Sequence, residues 1–291
     1  SPDPVRLPAG KPQGHPEGKE GKEVGMAEAR PHILITNDDG IYAEGLTALR
    51  DALTEVGEVT IVAPERPRSA SGHAITLHKP LRVAPVRLPW GGEGYATNGT
   101  PSDCVVLGLF AVMPRCDLVV AGINLGPNLG EDLTSSGKVS AAMEGAICGK
   151  PAIAVSLADY EMPDYRPAAR FTAQLAREVL AHGLPPDVLL NVNVPNLPEA
   201  ELGGVVITRQ GKRRYGGRVE RRLDPRGRPY YWLGGEIIEE VEGDGSDGEA
   251  VRLGKISVTP LHLDLTSDTF MPTLRTWQLP FDGEMPKPKE P

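Results

Sequence analysis

The sequence predicts an α/β fold, a mostly parallel sheet wrapped by helices, with a β-hairpin arm toward the C-terminus. Three observations carry this. From His32 onward, short apolar runs alternate with stretches of helical periodicity, the rhythm of parallel strands joined by crossover helices. Polar loops rich in Gly, Asn and Ser follow several of the runs, as expected where a parallel sheet gathers its ligand-binding loops at the strands' carboxyl ends. Beyond about Arg209 the rhythm stops, and aromatic and charged residues flank a turn signal.

Taken in order, the first strand is Ile33-Leu34-Ile35-Thr36, and a helix follows with Leu46, Leu49, Leu53 and Val56 on one face. A second strand covers residues 59–63. Thr100 before Pro101, with Asp103 at the capping-box position, marks a helix start leading into Val105, Val106 and Leu109. Residues 117–122 form a buried strand. Residues 138–147 form a helix that Gly149 is placed to terminate, followed by a strand at 152–157, a helix at 168–180 and a strand at 188–194. Tyr230, Tyr231 and Trp232 come after the turn signal Asp224-Pro225-Arg226-Gly227, which suggests a hairpin. Arg209, Lys212, Arg213, Arg214, Arg218, Arg221 and Arg222 make one side of it basic. Its charges can be plain solvated faces, or its Tyr and Arg residues can pair with a second subunit.

Residues 1–30 hold Pro, Gly, Lys and Glu with almost no large apolar side chains, a composition that cannot repay the entropy of folding. The expected organisation is therefore a disordered tail over 1–30, an α/β catalytic core over 31–208, and a hairpin arm with C-terminal segment over 209–291 that returns to the core. A formal charge of −8, from 31 Lys and Arg against 39 Asp and Glu, argues against a general nucleic-acid or anionic-membrane binder. The three cysteines lack zinc-finger spacing and form no even framework, which fits a reducing compartment. No apolar run approaches a membrane span, and no signal-peptide pattern opens the chain. A cytoplasmic protein without membrane or specific nucleic-acid partners is expected.

Chemistry concentrates in the loops. Asn37-Asp38-Asp39-Gly40 ends the first strand: two adjacent carboxylates repel unless a cation sits with them, and hard cations such as Mg²⁺ or Mn²⁺ prefer oxygen ligands. The same tetrapeptide can equally be a polar turn. Arg68-Ser69-Ala70-Ser71-Gly72-His73 offers hydroxyls on a loop that backbone or ligand can approach closely, though alone it reads as an ordinary surface loop. Residues 122–130, with Asn124 and Asn128 among Gly and Pro, supply neutral oxygens. Ser136-Gly137 at a helix start offers free N–H groups and the positive end of the dipole, a ready anion site. Lys138 just after it resembles the end of a Walker A loop, but the required earlier Gly is missing, which excludes a P-loop NTPase. Asn98-Gly99-Thr100-Pro101 adds another polar loop. Asn128, Ser136, Gly137 and Asn98 are thus the candidate phosphate contacts. His262, after a late apolar run, is a candidate proton donor or a plain structural histidine.

Ile-Leu-Ile-Thr-Asn-Asp-Asp-Gly, Val-Ala-Pro-Glu-Arg-Pro-Arg-Ser-Ala-Ser-Gly, Asn-Gly-Thr-Pro-Ser-Asp-Cys-Val, Gly-Ile-Asn-Leu-Gly-Pro-Asn-Leu-Gly and Thr-Pro-Leu-His-Leu-Asp-Leu-Thr occur in one order, and together they resemble the survival protein E (SurE) family of 5′/3′-nucleotidases. The resemblance spans roughly residues 31–270. It implies a Rossmann-like three-layer core, one divalent metal ion (Mg²⁺ or Mn²⁺) held by Asp38, Asp39, Ser69 and Asn124, and hydrolysis of nucleoside monophosphates. It also implies a homodimer or homotetramer assembled through the C-terminal arms. Direct attack by water is favoured over a covalent route through Ser69, for which no base identifies itself. A dinucleotide binder would need Gly-x-Gly-x-x-Gly after the first strand, and a receiver domain would need a phosphorylated Asp where Asn124 stands. A scaffold binding only a structural ion would show no turnover.

Overall fold

In a computed structural model the described residues are 30–216, 218–234, 237–241, 245–277 and 279. The expected tail over 1–30 lies outside them except for Arg30. The apolar runs become β1 (His32–Thr36), β2 (Glu58–Pro64), β3 (Val83–Arg87), β4 (Glu93–Thr97), β5 (Leu118–Leu125), β6 (Ala152–Leu157), β7 (Val188–Val194) and β8 (Val205–Ile207). Toward the C-terminus come β9 (Lys212–Tyr215), β10 (Arg218–Leu223), β11 (Pro229–Gly234), β12 (Ile237–Val241) and β13 (Ile256–His262). The helices are α1 (Glu44–Thr54), α2 (Pro101–Leu107), α3 (Gly137–Ile147), α4 (Arg166–His182), α5 (Asp247–Arg252) and α6 (Met271–Leu274).

Among the described residues a nine-stranded sheet has the order β3-β4-β2-β1-β5-β6-β7-β13-β8. It runs parallel from β4 through β7, while β3 and β13 pair antiparallel to their neighbours β4 and β7. The central strands are apolar throughout because both faces are covered. Ile33, Ile35, Leu118, Val120, Ile153 and Val155 pack beneath α1 and α4, and the alternate residues Leu34, Val119, Ala121, Ala152 and Ala154 face α2 and α3. This is the expected three-layer core.

Two details place the helices that build the site. Thr100 and Asp103 form the capping box foreseen for α2: the Asp103 N–H donates to Thr100 Oγ1 at 3.1 Å and the Thr100 N–H to Asp103 Oδ2 at 2.8 Å. Helix α3 lies close on the sheet because its facing residues are small. A Cβ at Gly145 would come 3.0 Å from Val119 Cβ and 3.2 Å from Ala152 Cβ. Gly149, at φ +71°, ends the helix as expected.

Some elements differ from expectation. Strand β5 extends past Gly122 to include Asn124, with a register shift against β6 between Ala121 and Asn124. The helical pattern through Leu109 continues past α2 as one π-helical turn, Gly108–Val112. The hairpin exists as β10 and β11, around a turn in which Asp224 Oδ1 accepts from the Arg226 and Arg228 N–H groups, each at 2.9 Å. The root of the arm, β9 with β12, is a separate antiparallel pair.

Candidate active site

The turn after β1 is closed by Asn37, not by the acidic pair. Asn37 Nδ2 donates to the Gly40 carbonyl at 3.0 Å, and the Gly40 N–H donates to Asn37 Oδ1 at 3.1 Å, with Gly40 at φ +98°. Both aspartates are therefore released from turn duty. Asp38 is 5% exposed, and its Oδ1 is buried with no hydrogen-bond partner. An unpaired carboxylate oxygen at that depth is costly unless a cation or proton meets it. Burial pushes the Asp38 carboxyl upward, opposed by the Lys138 ammonium and the N–H groups of Lys138 and Gly137. Burial, then repulsion from Asp38, raises Asp39 to about 6, against the Leu125 N–H and Lys138.

Helix α3 meets this pair with its N-terminus. Ser136 is the N-cap and accepts from the Val139 N–H at 3.2 Å, so its Oγ serves the helix. A Cβ at Gly137 would lie 2.7 Å from Ser71 Oγ, 3.0 Å from Asp38 Cβ and 3.1 Å from Asp38 Oδ2. Glycine there is what allows helix start and carboxylate to approach. Lys138 is fully buried, and its Nζ donates to Ser156 Oγ at 2.6 Å. Burial brings its ammonium down to about 7, while Asp38 and Asp39 hold it up.

The remaining sequence candidates divide. The loop of Ser69 is pinned beside the pair at both ends: the Arg68 N–H donates to the Asp38 carbonyl at 2.7 Å and the Gly72 N–H to the Ser135 carbonyl at 3.0 Å. Ser69 itself is exposed. Asn124 lies on β5, the neighbour of β1, and its Nδ2 donates to the carbonyls of Leu125 at 3.1 Å and Gly126 at 2.9 Å. That commits the amide nitrogen and leaves Oδ1 as the available acceptor. Asp38, Asp39, Ser69, Asn124, Ser136 and Gly137 thus gather at the carboxyl ends of the parallel strands.

Three candidates have other contacts or another place in the fold. Asn128 is tied to the neighbouring strands: its N–H donates to Asn193 Oδ1 at 2.8 Å, its Nδ2 to Ser156 Oγ at 3.1 Å, and its carbonyl accepts from Asn191 and Asn193. Asn98 uses Oδ1 to accept from the Arg82 N–H at 2.9 Å, and its carbonyl accepts from Arg68 Nη2 at 3.1 Å. His262 ends β13, which runs antiparallel to β7, so it pairs with Val188 at the amino end of that strand. It therefore stands at the opposite end of the sheet from Asp38, and one chain cannot bring the two together.

Lys138 and Ser71 also reach the site, although neither is among the ligands or phosphate contacts expected from the sequence. Ser71 Oγ is buried without a hydrogen-bond partner beside the start of α3. The signal for Lys138 was its place directly after a Ser-Gly helix start, where a cation faces whatever the preceding loops carry. Asp247 was also unforeseen: its carboxylate accepts from the N–H groups of Gly130 at 3.1 Å and Gly211 at 2.8 Å, fastening the root of the arm to the 122–130 loop.

Among the described residues no group of three or more His, Cys, Asp or Glu side chains is arranged to hold a metal. A cation here would need mixed oxygen ligands, and two carboxylates, a serine hydroxyl and an amide oxygen are that set, suited to Mg²⁺ or Mn²⁺. The orphaned Asp38 Oδ1 is the observation that fits such an ion.

The model of the family described as survival protein SurE matches residues 33–217. The chain is 55% identical over 252 residues to a 5′-nucleotidase SurE of Geobacter sulfurreducens, covering 85% of this chain and 94% of that protein. It is 51% identical over 249 residues to a 5′-nucleotidase SurE of Moorella thermoacetica, covering 84% and 95%. The crystal structure of a SurE protein from Aquifex aeolicus superimposes with a TM-score of 0.74 at 44% identity, covering 84% of this chain and 98% of that one. With its loops in family order on this sheet, and likeness of that extent to its members, the chain belongs to the SurE family.

Proposed function

We propose that the chain is a metal-dependent 5′-nucleotidase that hydrolyses nucleoside monophosphates to nucleoside and phosphate. The observation that carries this is the buried, unpartnered Oδ1 of Asp38, whose carboxylate lies beside Asp39 and against the N-terminus of α3. Similarity to relatives named as 5′-nucleotidases supports the substrate class.

Asp38, Asp39, Ser69 and Asn124 would hold one Mg²⁺ or Mn²⁺. When bound, the ion supplies Lewis acidity toward a phosphate oxygen and activates water. The chain's own residues do the rest. The N–H groups of Gly137 and Lys138 hold the Asp38 carboxylate in place, and the positive end of the α3 dipole draws the phosphate's non-bridging oxygens to the same spot. The Lys138 ammonium offsets the two carboxylates so that a phosphate dianion is not repelled. Asp39 takes a proton from the attacking water, the P–O bond to the nucleoside oxygen breaks as the new one forms, and the departing oxygen takes up a proton from solvent to leave as the nucleoside hydroxyl.

The arm supports assembly into a homodimer or homotetramer: Tyr231, Trp232 and Leu233 on β11 are 58%, 59% and 84% exposed, a concentration of apolar surface that a partner would cover. No described helix is long and apolar enough to cross a membrane. The free cysteines Cys104, Cys116 and Cys148 are in keeping with a cytoplasmic enzyme.

The test is phosphate release from 5′-AMP or 5′-GMP with Mn²⁺ or Mg²⁺ by wild type and Asp39→Asn. The variant is expected to retain only a small residue of the activity, and undiminished turnover would refute the proposal.

A further inference from the structure

The rim of the site carries an aromatic ring that phosphate chemistry leaves unused. Tyr160 lies in the turn after β6 and is 68% exposed. Its ring rests on Gly126, where a Cβ would come 2.2 Å from Tyr160 Cε1 and 2.8 Å from Cζ. Gly126 is also the residue whose carbonyl accepts from Asn124 Nδ2 at 2.9 Å. The ring therefore sits one packed residue away from a proposed metal ligand.

The turn that presents it is braced. Asp159 Oδ1 accepts from the N–H groups of Tyr160 at 2.6 Å and Glu161 at 3.1 Å. Asn196 Nδ2 donates to Asp159 Oδ2 at 3.2 Å and to the carbonyls of Glu161 and Met162, both at 3.3 Å. A large aromatic side chain held this way presents contact area with little entropy left to lose on binding.

In a nucleoside 5′-monophosphate the base lies one ribose away from phosphorus. With the phosphate between the carboxylate pair and α3, the base falls outside the metal site, where Tyr160 is an exposed aromatic ring packed on Gly126, the residue hydrogen-bonded to Asn124. Resting on the nucleotidase reading, we propose that Tyr160 stacks the nucleobase of the substrate and sets the preference for nucleotides over phosphomonoesters that lack an aromatic ring. Because every base has a π-face, such a platform selects nucleotides as a class without choosing strongly among bases.

The experiment compares wild type, Tyr160→Ala and Tyr160→Phe with Mn²⁺ on 5′-AMP and on glycerol 2-phosphate. Tyr160→Ala is expected to raise KM for 5′-AMP roughly tenfold with kcat nearly unchanged. Turnover of glycerol 2-phosphate should stay at the wild-type level, and Tyr160→Phe should keep the wild-type preference. Equal losses on both substrates would mean that the ring only supports Gly126 and Asn124, and would overturn the proposal, as would no change on either. Wild type that releases phosphate from neither substrate would overturn the nucleotidase reading, and the proposal with it.

Discussion

Gly137→Ala tests whether helix α3 is placed to meet the carboxylates or merely begins near them. Two effects oppose each other. Gly137 has no positive φ, so alanine is conformationally allowed, and helix propensity alone would favour it by up to about 1 kcal/mol, less at the first helical position. Against this, the new Cβ would lie 2.7 Å from Ser71 Oγ and 3.0 Å from Asp38 Cβ. Ser71 can escape by turning its χ1. Asp38 Cβ cannot, because it is fixed to the backbone whose carbonyl holds the Arg68 N–H. Overpacking of this kind costs about 1–3 kcal/mol, so the variant should be less stable than wild type by about 1 kcal/mol. The carboxylate should shift by a few tenths of an ångström, and a displacement of that order at the reacting centre is expected to cost about tenfold in kcat/KM. Urea unfolding and phosphate release measure the two. A variant more stable than wild type and fully active would refute the close fit of Gly137 against Asp38.

Other expectations follow from the same geometry. His262→Ala should leave kcat/KM for 5′-AMP within about twofold of wild type, because the residue pairs with Val188 at the far end of the sheet. A large loss would mean that a second chain brings this histidine to the site. The metal response should depend on pH. Asp39 is raised from 3.8 to about 6 in the fold, so its contribution to metal-free stability is full below pH 3.8 and lost as pH rises through 6. A divalent ion binds the ionised form, so Mn²⁺ should raise Tm clearly at pH 7.5 and much less at pH 5. At a hundredfold excess over Kd the stabilisation at the higher pH is about 2.7 kcal/mol. An equal Tm shift at both pH values, read by calorimetry, would contradict the assignment of Asp39 as a ligand.

Much of the fold was legible because both faces of the sheet are covered, and such strands read as continuous apolar runs. Ile33-Leu34-Ile35 and residues 152–157 needed no further signal. Strand β3 was not legible: Pro85 interrupts it, its side chains are mostly exposed, and it forms the sheet's edge. The carboxylate pair was visible as chemistry, yet its separation from the turn depends on Asn37, whose role appears only in three dimensions. Lys138 was hidden because a lysine in a helix is ordinarily solvated, whereas this one is wholly buried with its Nζ on Ser156 Oγ and its charge facing Asp38 and Asp39. The surroundings of Asn128 and His262 were not legible for a different reason. Residue type suggests what a side chain can do, but neighbouring strands decide whether its donors are already taken, and strand direction decides which end of the sheet it reaches.

The central claim is that Asp38 and Asp39 hold a divalent ion used to hydrolyse a phosphomonoester. It is tested most directly by phosphate release from 5′-AMP titrated against free Mn²⁺, starting from protein stripped with a chelator. Release should be absent in the stripped protein and rise saturably with the metal. Full turnover in excess chelator would contradict it.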